Sequence, residues 1–210
     1  MLSNSFSYNR LSSLWGFDVN NIRTTGRAFL SYGYETRKLN DWTTKLRFNT
    51  SKLITWDVQY KHFLNRLLTP QFNNRNFTIE GNAIEPRLNF TQGTDFRLQI
   101  SYKWDGRKNL EATEKSISNA LIAEVKYNVV SNTSLASKFT VNSIKYNALP
   151  NATVSYIMLD GLLPGENYIW TVDATKKLNR NIELSVQYEG RKAGISGFVH
   201  TGRAQVRAIF

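Results

Sequence analysis

His62 and His200 are the two imidazoles in a chain of 210 residues that contains no cysteine. Disulfides and thiolate metal sites are excluded, and so is a His-rich metal centre. Any imidazole-based acid–base chemistry would have to run through one of these two side chains. Glu189 lies across the Gly190–Gly197 segment from His200, a spacing that could bring carboxylate and imidazole together. His62 closes "WDVQYKH" on the apolar side of that run. Neither histidine has a nucleophile placed against it by the sequence, so both are expected as interfacial strand residues. Glu111 and Glu114 sit in a long polar connection, Gly106–Lys115, and are expected to be solvated. There is no Walker loop, GxGxxG, HExxH or EF-hand pattern. The expectation is a protein with no catalytic, cofactor or metal site.

Charge is the stronger handle. Lys and Arg number 27 against 16 Asp and Glu, a formal net charge of +11. Nucleic acid, an anionic membrane surface or an acidic ligand would each suit that balance. The basic residues fall into a pattern. Lys45, Arg47, Lys61, Arg97, Lys103, Lys126, Lys138, Arg203 and Arg207 share the polar side of alternating runs, with Asp57, Glu124, Asp173, Glu183 and Glu189 beside them. Aromatic residues sit on the opposite side. A single-strand binder needs stacking rings interleaved with its cations, so nucleic acid is not expected as a partner.

The elements that would position these charges are strands. "FRLQISYKW" sets Phe96, Leu98, Ile100, Tyr102 and Trp104 against Arg97, Gln99, Ser101 and Lys103. "ITWDVQYKH", "LIAEVKYNV", "YIWTVDATK" and "NIELSVQYEG" repeat this period of two, as side chains of an extended strand must. Turn signals fall at Lys38–Asp41, Asn49–Lys52, Gln92–Asp95, Ser131–Ser134, Asn147–Asn151, Leu178–Asn181 and Gly190–Gly197, with longer connections at Leu67–Arg75 and Gly106–Lys115. "NLEATEKSISNALIAEV" reads as loop then strand. A change of apolar parity near Ser143 reads as a bulge. The sum is about ten to twelve antiparallel strands of about nine to twelve residues, the length a tilted strand needs to cross a bilayer. Residues 1–24 are expected as a lead-in or first strand and 25–210 as the barrel. No run of apolar residues is long enough for a membrane helix. "MLSNSFSYNR" lacks the basic and apolar regions of a secretory signal, as a cytosolic protein, a mature chain or a C-terminal piece of something longer would.

Alternation alone does not say which solvent lies on which side. In a sandwich the apolar face is core; in a transmembrane barrel it faces lipid. Strand length, the aromatics near strand ends (Tyr34, Trp42, Trp104, Tyr168, Tyr188, Phe210) and charges in mid-strand favour the barrel. The last strand adds a further pointer. "HTGRAQVRAIF" aligns Gly202, Ala204, Val206, Ala208 and Phe210 on one side and stops on Phe210. It resembles the C-terminal β-signal of Gram-negative outer-membrane β-barrel proteins, although Gly and Ala occupy positions where aromatics are common. That resemblance implies an all-β, antiparallel, up-and-down barrel in the outer membrane. Its partners would be outer-membrane lipid and the outer-membrane assembly machinery, with an upstream domain or partner subunit as a further one. The function it implies is a structural anchor, or the C-terminal barrel of a larger envelope protein, with a basic and mostly filled lumen.

Two other readings stay open on the sequence. One is a small anion-selective channel. The other is a soluble β-sandwich binding module, because "LDGLLPGENYIWTVDA" resembles the tyrosine corner of fibronectin type III domains at Leu162, Pro164, Tyr168, Trp170 and Val172. Ten strands and twelve are not distinguished. Only the ten-strand count, with residues 152–162 taken as an outward excursion, puts the long connections on one side.

Overall fold

Period-two alternation over most of the chain becomes one sheet. The computed structural model describes residues 1–9, 14–31, 33–129, 132–150 and 152–208. It holds eleven strands in sequential order: β1 (Leu2–Tyr8), β2 (Trp15–Leu30), β3 (Gly33–Asn49), β4 (Ile54–Leu68), β5 (Phe77–Gln92), β6 (Phe96–Asn109), β7 (Lys115–Val129), β8 (Thr133–Tyr146), β9 (Gly165–Lys177), β10 (Ile182–Ala193) and β11 (Val199–Ala208). Every neighbouring pair is antiparallel. The sheet is open, because β1 and β11 each have one strand neighbour. A single meander replaces the sandwich reading: there is no second sheet to pack on among the described residues.

Register shows which side is which. One line of directly opposed residues runs Trp15, Phe48, Trp56, Leu88, Ile100, Ala123, Phe139, Trp170, Gly190, His200 across ten strands. This apolar side is the exposed one: Trp56 is 48 % accessible, Leu121 53 % and Phe139 45 %. The opposite side buries Asp57, Ser101, Asp105, Ser116 and Asn167 along with other polar groups. In water that arrangement would forfeit the main driving force for folding. It is stable when the apolar side meets lipid and the polar side is enclosed.

Several strands outrun the expected length. β3 has 17 residues and β2 has 16, against the roughly ten that span a bilayer. Lys38–Asp41 is accordingly not a turn but lies inside β3, and the β2–β3 pairing ends with Leu30 opposite Gly33. β2 runs through Thr24 and Thr25 without a break. β6 continues to Asn109 and β10 to Ala193, which shortens both of those connections. No bulge interrupts β8, since Ser143 faces Asn119 and Ile144 faces Ser118 in unbroken register. The apolar parity changes there for another reason. Ile144 and Tyr146 turn to the inner side, where an apolar cluster of Leu67, Phe77, Ile79 and Met158 is buried.

Two glycines mark close approaches. A side chain at Gly81 would overlap the Phe63 ring on the inner side, and one at Gly190 would overlap the Trp170 indole on the outer side. The connections sort by end. Residues 50–53, 93–95 and 178–181 are short and lie at one end, while 69–76, 110–114, 147–164 and 194–198 lie at the other. The long excursion, residues 147–164, carries the helix α1 (Thr153–Met158).

Candidate functional site

The inner wall is a chain of paired charges. Lys45 Nζ lies 3.7 Å from Asp57 Oδ1, and Arg87 Nη1 lies 3.6 Å from the same oxygen. Asn89 Nδ2 donates to Asp57 Oδ2 at 2.7 Å. Arg87 forks onto Glu85 at 2.8 and 2.9 Å. Lys103 Nζ is 3.0 Å from Asp105, and Lys61 Nζ is 3.1 Å from Asp41. Beside the cross-strand pairs, several obey a local rule: residues two apart share one face of a strand. Glu35/Arg37, Glu85/Arg87, Asp105/Arg107 and Glu124/Lys126 are all such opposite-sign pairs.

Arg107 is the anchor of the long excursion. It forks onto Asp105 at 2.9 and 2.8 Å and onto Asp160 at 2.7 and 2.6 Å, and it donates to the Ile157 carbonyl at 2.8 Å. Asp160 presents its carboxylate from a left-handed turn, with φ +52° there and +74° at Gly161. Below this clamp α1 rests on the wall. Ser116 Oγ donates to the Met158 carbonyl, and Met158 and Leu159 are buried. The Ser155 hydroxyl closes the start of α1 by accepting from Ala152 N–H and donating to the Ala152 carbonyl. At the far end of the excursion Asn167 is wholly buried. Its Nδ2 donates to the carbonyls of Asn142, Leu163 and Gly165, and its Oδ1 accepts from the N–H groups of Leu163 and Gly194.

The nine basic residues singled out from sequence all lie on this inner side. Lys45, Lys61, Lys103 and Lys126 have carboxylate partners within ion-pair distance. Arg47 stands opposite Asp57 in register, with a buried Nε that has no hydrogen-bond partner. Lys138 stands opposite Glu124, Arg97 opposite Lys126, Arg203 opposite Gln187 and Arg207 opposite Glu183. Arg87, Arg107 and Asp160 were not singled out. The spacing of Glu85 to Arg87 and of Asp105 to Arg107 carried the signal for the first two. Nothing local marks Asp160, which reaches Arg107 across 53 positions.

His200 and Glu189 are not brought together. His200 pairs with Gly190 on the outer side, where its Nδ1 shares a 2.8 Å hydrogen bond with the Tyr188 hydroxyl, and Glu189 pairs with Thr201 on the inner side. His62 also faces outward, with Nδ1 3.0 Å from Asn82 Oδ1. Glu111 and Glu114 are not simply solvated, because Thr78 Oγ1 donates to Glu111 and Asn109 Nδ2 donates to Glu114 at 3.0 Å. Among the described residues no three His, Asp or Glu side chains converge as metal ligands. Gly202, Ala204, Val206 and Ala208 lie along the exposed edge strand β11; Phe210 is outside the described residues.

An antiparallel meander with its aromatic side exposed and its ion pairs on the opposite side has the fold of an outer-membrane type of β-barrel wall. No protein-family model matches the chain, and no curated protein sequence does. Solved structures do. The siderophore receptor PirA from Pseudomonas aeruginosa is similar over 97 % of this chain and 35 % of its own, with TM-score 0.62 and 10 % identity. The outer membrane channel DcaP of Acinetobacter baumannii is similar over 98 % of this chain and 61 % of its own, with TM-score 0.59 and 11 % identity. The CymD monoaromatic hydrocarbon channel gives TM-score 0.51 at 9 % identity. At such identities the shared feature is the fold. The chain spans about a third of the receptor and three fifths of the DcaP channel.

Proposed function

We propose that this chain is part of the wall of an outer-membrane β-barrel and serves as the membrane anchor of a larger envelope protein. Strand parity carries the reading. Eleven strands leave β1 and β11 running in the same direction, so joining them directly would make one parallel pair beside ten antiparallel ones. Bacterial single-chain barrels hold an even number of antiparallel strands. An odd number of further strands, from a longer chain or a partner subunit, completes an antiparallel ring. The partial cover of the receptor and channel structures agrees with this. The end with long connections faces outward and the short turns face the periplasm, as is usual for such barrels. The strand Gly202–Ala208, with Phe210 beyond it, serves as the signal for the assembly machinery. The clamped excursion and paired wall narrow the lumen.

Cysteine pairs test this cleanly, since the chain has no cysteine of its own. Ser5→Cys on β1 and Gln205→Cys on β11 are both inner-side positions. The reading predicts no intramolecular disulfide after refolding in detergent and oxidation. Efficient cross-linking, together with a band that migrates faster unboiled than boiled, would mean direct closure and contradict it.

A second reading has its own support. Arg97, Lys138, Arg203 and Arg207 have no carboxylate within 4.0 Å among the described residues, so part of the inner wall carries uncompensated positive charge. A completed barrel with that lining would prefer anions. Reversal potentials across a salt gradient in a planar bilayer would show the selectivity.

A further inference from the structure

The register places a second set of cations on the lipid side, which the reading of the lumen does not use. Lys38 on β3 stands directly opposite Arg66 on β4, and Lys108 on β6 directly opposite Lys115 on β7. Lys145 on β8 faces Ile117 on the same side. All five are exposed. Lys192 on β10 leans over the Phe198 ring at 5.4 Å, and Arg27 on β2 over Tyr34 at 5.8 Å. These positions cluster towards the strand ends that join the long connections: Arg66, Lys108, Lys115, Lys145 and Lys192 are within two residues of a strand end.

Like charges directly opposite one another destabilise a sheet. Two such pairs persist here with one nearby carboxylate engaged, Glu80, which lies 2.8 Å from Lys108. Lys38, Arg66, Lys115 and Lys145 have no carboxylate within 4.0 Å among the described residues. Glu166 is the other outward strand carboxylate at this end. The opposite end of the same side is aromatic and aliphatic, with Trp15, Phe48, Trp56, Phe90 and Phe96, and Lys176 is its one charged strand residue among those described. So the lipid-facing surface has an apolar band that ends in rings at one margin and in a row of cations at the other.

We infer that this row is a docking surface for phosphate-bearing lipid headgroups in the leaflet at the long-connection end. The inference rests on the barrel reading above. A phosphate carries enough negative charge and enough acceptor oxygens to bridge two cations across a strand pair, which turns the repulsion between Lys38 and Arg66, and between Lys108 and Lys115, into shared attraction. The side chains flank the membrane band, where long basic stems lie along apolar surface and the charged ends reach the headgroups. A zwitterionic headgroup also has a phosphate, but it brings a competing ammonium.

The test uses the whole chain refolded in zwitterionic detergent, with unfolding followed by tryptophan emission as phosphatidic acid, phosphatidylcholine or inorganic phosphate is added. Phosphatidic acid should raise the unfolding midpoint and phosphatidylcholine should not. Lys38→Gln with Arg66→Gln, and separately Lys108→Gln with Lys115→Gln, should each diminish that rise; Lys176→Gln at the opposite margin should keep it. An equal rise with inorganic phosphate, or a rise unchanged in both double variants, would overturn the headgroup site while leaving the barrel intact. A chain that acquires no β structure in any detergent would overturn the barrel reading, and this inference with it.

Discussion

Arg107 and Asp160 meet in a two-pronged ion pair, 2.7 and 2.6 Å, that ties the long excursion to the inner wall. The two partners are not equivalent. The Arg107 side chain is 10 % exposed and that of Asp160 is 62 % exposed. Asp160→Asn should therefore cost little stability, on the order of 0–1 kcal/mol as for exposed pairs. It should still loosen residues 147–164, visible as faster cleavage there in limited proteolysis. Arg107→Met is different, because it takes two hydrogen bonds from the buried carboxylate of Asp105 and leaves Lys103, 3.0 Å away, as its remaining ion-pair partner; a loss of about 1–3 kcal/mol is expected in denaturant unfolding. Equal effects of the two variants would contradict the clamp.

Asn167 should be as sensitive as Arg107, although it carries no charge. Its side chain joins five backbone groups from β8, the excursion, the start of β9 and the turn before β11. Asn167→Ala leaves buried backbone groups unpaired, at about 1–3 kcal/mol for each group that water cannot reach. The expected result is a lower unfolding midpoint, with Asn167→Asp at least as damaging because its carboxylate would face the three carbonyl oxygens that the amide now serves.

The outer side offers a paired control in two glycines of neighbouring strands. A Cβ at Gly190 meets the Trp170 indole, while one at Gly202 meets nothing within 4 Å. Gly190→Ala should destabilise by about 1–3 kcal/mol through overpacking and shift tryptophan emission. Gly202→Ala should stay within about 0.5 kcal/mol of the parent.

Much of the fold was legible because alternation is local. The strand rhythm, the inward placing of Lys45, Lys61 and Lys103, and the outward placing of Trp56 and Trp104 follow from parity alone. Strand ends were less legible. Lys38–Asp41 has turn composition, yet it continues β3 because β2 and β4 both supply partners there. The inner apolar cluster was invisible for a related reason: Ile79 is buried there with Leu67, Phe77 and Met158, and Met158 comes from α1, distant from Ile79 in sequence. The outward cations Lys38, Arg66, Lys108 and Lys115 needed cross-strand register before they could be seen as pairs.

A charge placed on each side in turn should separate lipid from lumen. Leu121 sits mid-strand on β7, facing outward, and an exposed position of that kind tolerates arginine when the solvent is water. In a bilayer Leu121→Arg should cost about 2–4 kcal/mol, measured as loss of stability in vesicles. Gln99→Arg, on the inner side opposite Glu124, should be nearly neutral.

The most direct measurement of the central claim uses the tryptophans. All five, Trp15, Trp42, Trp56, Trp104 and Trp170, lie on the exposed apolar side. The protein would be refolded into vesicles whose lipid chains are brominated, and its emission compared with that in ordinary vesicles and with that under an aqueous quencher. The account predicts strong quenching by the brominated chains and weak quenching from water. Emission unchanged by brominated lipid but readily quenched from water would contradict a lipid-facing aromatic side, and with it the barrel.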